Sequence, residues 1–335
     1  LDGFTITGGL SEYGGGIRID SVSSTLKNLV VIGNTANSYG GGILCWESSP
    51  SLENVVVSSN TAGSYGGGGV YSYSSGISLS NVNISDNSTS GPGGGIYYNQ
   101  SNSILTNVTI SGNSATGEDG FGGAIYLTTV SYLTLLNCIL WNNSPQEIYF
   151  SGEIEWNSGS TTAAYCDIQD GEGGIITNDN GTVTWEEGNI DADPLFCNPD
   201  SSDYTLAENS PCFETGDGDA NMGAYGVGCG PINIDANVNF SFDLSCYHGI
   251  FEELSGGYTP YIKGNWNNWD NSIPMSDEDG DHIWTASANL PDGEYIFYVY
   301  ATGPSHYFTL LAPVGSVCDY YHDDPYGNWG FEIND

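Results

Sequence analysis

The chain has 335 residues, of which 41 are acidic and 3 are basic (Arg18, Lys27 and Lys263), for a formal net charge of −38. Phosphate recognition needs a cationic surface, so the composition excludes a nucleic-acid-binding protein, and attraction to an anionic membrane fails for the same reason. The sequence holds no apolar run long enough to predict a membrane span.

Leu1–Gly9 is the first element, and it aligns with Leu26–Asn34. Four further stretches are near copies: Leu52–Asn60, Leu79–Asn87, Leu105–Asn113 and a reworded Leu135–Asn143. Each places an Asn two residues after its Leu, then apolar residues at alternate positions, then a second Asn. The second Asn falls at 34, 60, 87, 113 and 143, a period of 26, 27, 26 and 30. Between the copies sits a glycine-led segment: Gly15-Gly16-Ile17, Gly41-Gly42-Ile43, Gly68-Gly69-Val70, Gly94-Gly95-Ile96 and Gly123-Ala124-Ile125. Val55 and Val57, Val82 and Ile84, and Val108 and Ile110 alternate with polar residues, which is strand spacing. One such unit cannot bury its apolar face alone. Stacked coils about 4.8 Å apart can, so the period predicts a solenoid. The second Asn of every copy is then expected to form one amide ladder. Because Leu1 starts in the middle of a coil, the expectation is a processed or truncated chain whose first coil presents an open strand edge.

These pieces resemble the right-handed parallel β-helix family of bacterial surface and secreted proteins. The resemblance rests on the Asn-Val-x-Ile-x-x-Asn and Gly-Gly-Ile-Tyr patterns and on Leu1–Gly9. A closing signature adds Ile139–Asn143, Asn189–Phe196 and Met222–Tyr225. It covers residues 1–228 and implies a fold. It implies no activity, since the family includes enzymes and adhesins.

Eight cysteines beside three basic residues fit a secreted, oxidised protein at an extracellular or cell-surface location. Cys45 and Cys138 occupy strand positions of non-adjacent coils and are not expected to pair. Cys138 takes the inward place of Val108 and reads as a buried thiol. The expected disulfides are Cys197–Cys212, across a short loop, and Cys246–Cys318.

After Gly228-Cys-Gly-Pro231 the repeat stops. Short alternating segments with turn signals follow over residues 229–335: Val238–Leu244, Tyr261–Asp270, Ile283–Ala288 and Glu294–Tyr300. They predict a small immunoglobulin-like β-sandwich, so the whole chain is expected to be all-β. Gly264–Trp269, Asp279–Trp284 and Leu290–Phe297 resemble the immunoglobulin-like modules that bind starch and glycogen. That resemblance implies that Trp266 and Trp269 stack on sugar faces, with Lys263 and Asn265 as polar partners. The lysine usual after the Asp-Gly-Glu-Tyr turn is here Tyr298. The competing reading packs one of the two tryptophans into the core.

Catalytic chemistry finds little support. A lyase needs a strong base and cations beside the substrate carboxylate, and residues 1–228 offer only Arg18 and Lys27 and no His. A glycoside hydrolase needs two carboxylates on one face. Asp167, Asp170, Glu172, Asp191 and Asp193 are the candidates, in loop-like segments without recognisable spacing. No catalytic residue is assigned. Two clusters, Asp277, Asp279 and Asp281, and Asp217-Gly-Asp-Ala-Asn221, carry the alternating oxygens that suit Ca²⁺. Metal-free turns rich in Asp and Asn are the competing reading. The expectation is a structural or adhesive protein that joins copies of itself end to end. The alternative is a carbohydrate-binding accessory protein or glycoside hydrolase with a neutral polysaccharide as partner.

Overall fold

The computed structural model describes residues 1–128, 130–152, 159–232, 236–243, 259–264, 273–276, 283–290, 293–302, 307–310 and 329–333. The chain divides into two compact units, Leu1–Ile232 and Asn233–Asp335.

The first unit is a parallel β-solenoid of about eight turns. Its first sheet stacks Thr5–Thr7, Val30–Ile32, Ser51–Ser58, Ser78–Ser85, Asn102–Ser111, Tyr132–Leu136, Gly159–Ala164 and Gly181–Trp185 in that order. A second sheet stacks Ile17–Asp20, Ile43–Trp46, Val70–Tyr73, Ile96–Asn99, Ile125–Thr128, Ile148–Phe150 and Ile175–Ile176. A third, narrower sheet runs from Leu10–Tyr13 through Thr35–Tyr39 to Ser114–Ala115. The repeat sets the register. Leu52, Leu79, Leu105 and Leu135 stack in line, as do Val57, Ile84 and Ile110. These rows are buried and form one continuous core with Ile43, Val70, Ile96 and Ile125 of the second sheet.

The two asparagines of each copy have different jobs. The first, at 28, 54, 81, 107 and 137, sits at a corner with φ of 53–54°. Asn tolerates this left-handed conformation better than most residues because its short amide satisfies the local backbone. The second Asn points inward and builds the expected ladder. The backbone N–H and Nδ2 of Asn34 both donate to Oδ1 of Asn60, at 2.9 and 3.0 Å. The same pair of bonds links Asn60 to Asn87, Asn87 to Asn113, and Asn113 to Asn143. The ladder also accounts for the second glycine of each pair. A Cβ on Gly42 would stand 2.7 Å from the Gly69 carbonyl oxygen and 2.9 Å from the Asn60 amide.

Residues 194–232 fold back along the outside of the column. The Gly223 N–H donates to the Asn137 carbonyl at 2.8 Å, Ala224 N–H to Thr109 Oγ1 at 2.9 Å, and Tyr204 Oη to Asp86 Oδ1 at 2.9 Å. Ile139, Phe196, Tyr204, Leu206, Cys212 and Met222 form a second small core beneath this strap, with Trp141, Ile190 and Tyr225 at its margin. The three pieces of the closing signature thus meet in one cluster. The strap also corrects a cysteine pairing. Cys197 bonds Cys229, not Cys212. The strands Phe196–Asn198 and Val227–Cys229 flank Asp203–Ala207, which brings the Cα atoms of Cys197 and Cys229 to 5.9 Å. Cys212 instead lies buried as a thiol against Asp167. Cys45 and Cys138 are buried thiols as well.

In the second unit the described strands pair antiparallel. Ala236–Asp243 runs against Ile283–Leu290. Thr259–Gly264, Tyr307–Leu310 and Trp329–Ile333 each pair with Gly293–Thr302. Cys246 and Cys318 lie outside the described residues.

Candidate functional site

Lys263 sits half-buried in the strand Thr259–Gly264, opposite Tyr298. Its expected partners Asn265, Trp266 and Trp269 lie outside the described residues, as do Asp277, Asp279 and Asp281. Asp217–Asn221 is an exposed turn that serves the fold. The Asp217 N–H donates to Asn137 Oδ1 at 2.7 Å, and Asn221 Oδ1 accepts from the Glu214 N–H at 3.0 Å.

Of the five candidate carboxylates, Asp167 is buried and Asp170, Glu172, Asp191 and Asp193 are exposed. Asp167 is fully buried: Oδ1 accepts from the Ala192 N–H at 3.2 Å and Oδ2 from Cys212 Sγ at 3.0 Å. Burial pushes its carboxyl up to about 7, and the nearby Asp191 and Asp193 add to the rise. Asp191 Oδ1 accepts from the Asp170 N–H and links two neighbouring coils, while Asp193 Oδ1 accepts from the Leu195 N–H and closes a local turn. Glu172 lies exposed in a single 3₁₀ turn. Asp167, Asp191 and Asp193 thus tie the last coils to the start of the strap.

One buried acid had no part in the sequence reading. Glu147 ends the amide ladder: Oε1 accepts from the Asn143 N–H at 3.0 Å, and Oε2 from Asn143 Nδ2 at 2.7 Å. Burial pushes its carboxyl up to about 8, against the pull of those two donors. The available signal was an acidic residue four places after the last ladder Asn.

Two surfaces of the column remain as candidates for contact. The first is the edge of the opening coil. The strand Thr5–Thr7 pairs with Val30–Ile32 on one side only, and Leu1, Phe4 and Leu10 are exposed, Leu10 by 75%. The Val30 N–H donates to the Phe4 carbonyl at 3.0 Å. Peptide groups alternate sides along a strand, so the Thr5 N–H points away from the column.

The second surface is a row of aromatic rings on the outside of the second sheet. Parallel register places Tyr71, Tyr97, Tyr126 and Tyr149 above one another. Their inward neighbours Val70, Ile96, Ile125 and Ile148 fill the core, so the rings lie on the outer side, Tyr97, Tyr126 and Tyr149 half-buried and Tyr71 buried beneath its neighbours. Ring centroids lie 4.6 Å apart for Tyr71–Tyr97, 5.2 Å for Tyr97–Tyr126 and 5.8 Å for Tyr126–Tyr149. Tyr13 and Tyr39 extend the row toward the first coil. Trp46 stacks on Tyr73 beside it at 4.1 Å. Stacked aromatic pairs stabilise neighbouring strands by roughly 0.5–1.5 kcal/mol each beyond area burial, so the row first of all ties coil to coil.

No curated protein and no solved structure matches the chain. The family description "right handed beta helix region" matches residues 15–190. That span takes in the coils of the Asn ladder from Asn34 to Asn143, the aligned leucines and the aromatic row from Tyr39 to Tyr149. It is more than half of the chain, which therefore belongs to the right-handed β-helix family.

Proposed function

We propose that this is an extracellular or cell-surface protein of structural or adhesive type, a rigid column that joins to others end to end. The observation that carries the reading is the continuity of the column's order. A buried amide ladder, aligned apolar rows and an outer aromatic row all run from coil to coil, and the buried acids serve the same structure. A disulfide in the strap fits an oxidising compartment.

End-to-end joining would take place at a terminal coil edge such as Thr5–Thr7. Strand addition uses such an edge. A coil from preceding sequence would compete for it. Charge repulsion between chains of −38 is screened beyond about 8 Å at 0.15 M salt, whereas strand pairing acts at contact. Sedimentation velocity on the 335-residue chain tests the idea. Added salt should lengthen the assemblies. Thr5→Pro should return them to monomer, because it removes an outward donor without touching a bond inside the column. A protein that stays monomeric at high concentration and salt removes self-assembly from the proposal.

The antiparallel pairing of the second unit supports a β-sandwich there, and a glycan-binding role for Trp266 and Trp269 extends that reading. Replacing both with Ala should abolish retention on an insoluble glucan. Unchanged retention rejects it.

A further inference from the structure

We propose that the aromatic row of the column is a binding surface for an uncharged polysaccharide lying along the column axis, with Tyr65 as its platform. The inference is independent of end-to-end joining, since a single column presents the whole row.

The geometry decides which rings can serve. Neighbours within the row are nearly parallel, 12° apart for Tyr71–Tyr97 and 9° for Tyr126–Tyr149. Their faces cover one another, and a ligand meets mainly their edges. Tyr65 differs. It lies on the turn after Thr61–Ala62, is 65% exposed, and stands at 89° to the ring of Tyr39 with centroids 6.2 Å apart. Tyr39 shares the tilt of the row, at 27° to Tyr71. The plane of Tyr65 therefore runs along the column. A pyranose ring has an apolar face of C–H groups, and a chain of such rings extended along the column would lay that face on Tyr65. Trp46, half-buried beside Tyr39, lies 6.2 Å from it.

Charge selects the ligand. In the two outward rows of the second sheet the only charged residues are Arg18 and Asp20, which pair with each other at 2.7 Å. From the second coil onward the rows read Leu44, Tyr71, Tyr97, Tyr126, Tyr149 and Trp46, Tyr73, Asn99, Thr128. Glu12 and the exposed Glu47 border this neutral strip. A polyanion would be repelled by the border and by the chain's charge of −38. A second copy laid row against row would bring two such charges together. A neutral glycan meets neither penalty.

Affinity electrophoresis of the full chain tests the proposal, with hydroxyethylcellulose, glucomannan or xyloglucan in the gel and polygalacturonate as the anionic control. At least one neutral polymer should retard the protein and polygalacturonate should not. Tyr65→Ala should weaken the retardation about tenfold, the loss of one aromatic platform. Trp46→Ala should weaken it as well, with circular dichroism unchanged for both. Trp266→Ala/Trp269→Ala should leave this retardation in place. The proposal falls if no neutral polymer retards the chain, if Tyr65→Ala and Trp46→Ala are without effect, or if only the double tryptophan variant loses retardation. It falls equally if sedimentation shows laterally paired columns that Tyr65→Ala separates, since the row would then be a contact between copies.

Discussion

Glu147 should make the column lose stability as pH rises, and Glu147→Gln should remove that loss. The side chain is 3% exposed. Its carboxyl is pushed from 4.5 to about 8, first by burial, then by the nearby Asp170 and Asp167, against the two Asn143 donors. The folded group therefore holds its proton more tightly than the unfolded one. Its contribution is most favourable below about 4.5, falls between 4.5 and 8, and is fully lost above 8. At 1.36 kcal/mol per pH unit, the span from 4.5 to about 8 corresponds to roughly 5 kcal/mol at most. Asp167, pushed up to about 7, adds a change of the same sign. The acidic surface titrates in this range too, so the difference between wild type and variant is what matters. The glutamine of the variant would set an amide NH₂ against one of the Asn143 donors and should leave it less stable than wild type at pH 4.5. The gap should narrow steadily, by up to about 5 kcal/mol, as pH rises to 8. Urea denaturation at half-unit pH steps measures both curves. Parallel curves would refute the reasoning, because Glu147 would then titrate alike in the folded and unfolded chains.

Three further outcomes follow from the column and the strap. Asn87→Ala removes the acceptor for both donors of Asn60, which are buried, and should cost about 3 kcal/mol in urea denaturation. Gly42→Ala drives a Cβ against the Gly69 carbonyl oxygen and should destabilise by about 1–3 kcal/mol, whereas Ala124→Gly, at the matching place of a later coil, should stay within about 1 kcal/mol. Alkylation of the unreduced, denatured chain followed by peptide mass mapping should label Cys212 and leave Cys197 and Cys229 linked; in the native state the buried Cys212 should resist the reagent.

The repeat carried the column into view because every strand pairs with the strand one period away. Leu52, Leu79 and Leu105 read as a row in the sequence and are one in space. The Asn ladder was legible for the same reason. The closing signature marked Ile139, Phe196 and Met222 as belonging together without saying how. What stayed hidden depends on contacts without a period. Cys197 pairs with Cys229 because the strap doubles back, and no spacing encodes that turn. Asp167 looked like a surface acid until the strap covered it. The aromatic row was half visible: Tyr97 and Tyr126 follow the same glycine-led strand start. The perpendicular ring of Tyr65 comes from a turn outside the pattern.

The ladder also explains why the column needs a terminator and why an acid serves as one. Every rung points the same way: each Asn donates two hydrogen bonds to the next coil and accepts two on a single oxygen. The rungs therefore add as aligned dipoles, with donors leading toward the later coils. A last Asn with no successor would leave two donations unmade, one from a backbone N–H that is then orphaned at about 1–3 kcal/mol and one from Nδ2, which keeps the Ile110 carbonyl. A glutamine could accept only one of them. A carboxyl group accepts both, one on each oxygen, and in the protonated form that burial favours below about 8 it does so without a buried charge. The ladder's first end is served more simply: the Gly9 N–H donates to Asn34 Oδ1, and Asn34 Nδ2 donates to the Ile6 carbonyl. The raised carboxyl of Glu147 is thus the consequence of ending a buried amide ladder inside the column, where two hydrogen bonds are satisfied but the charge is not solvated.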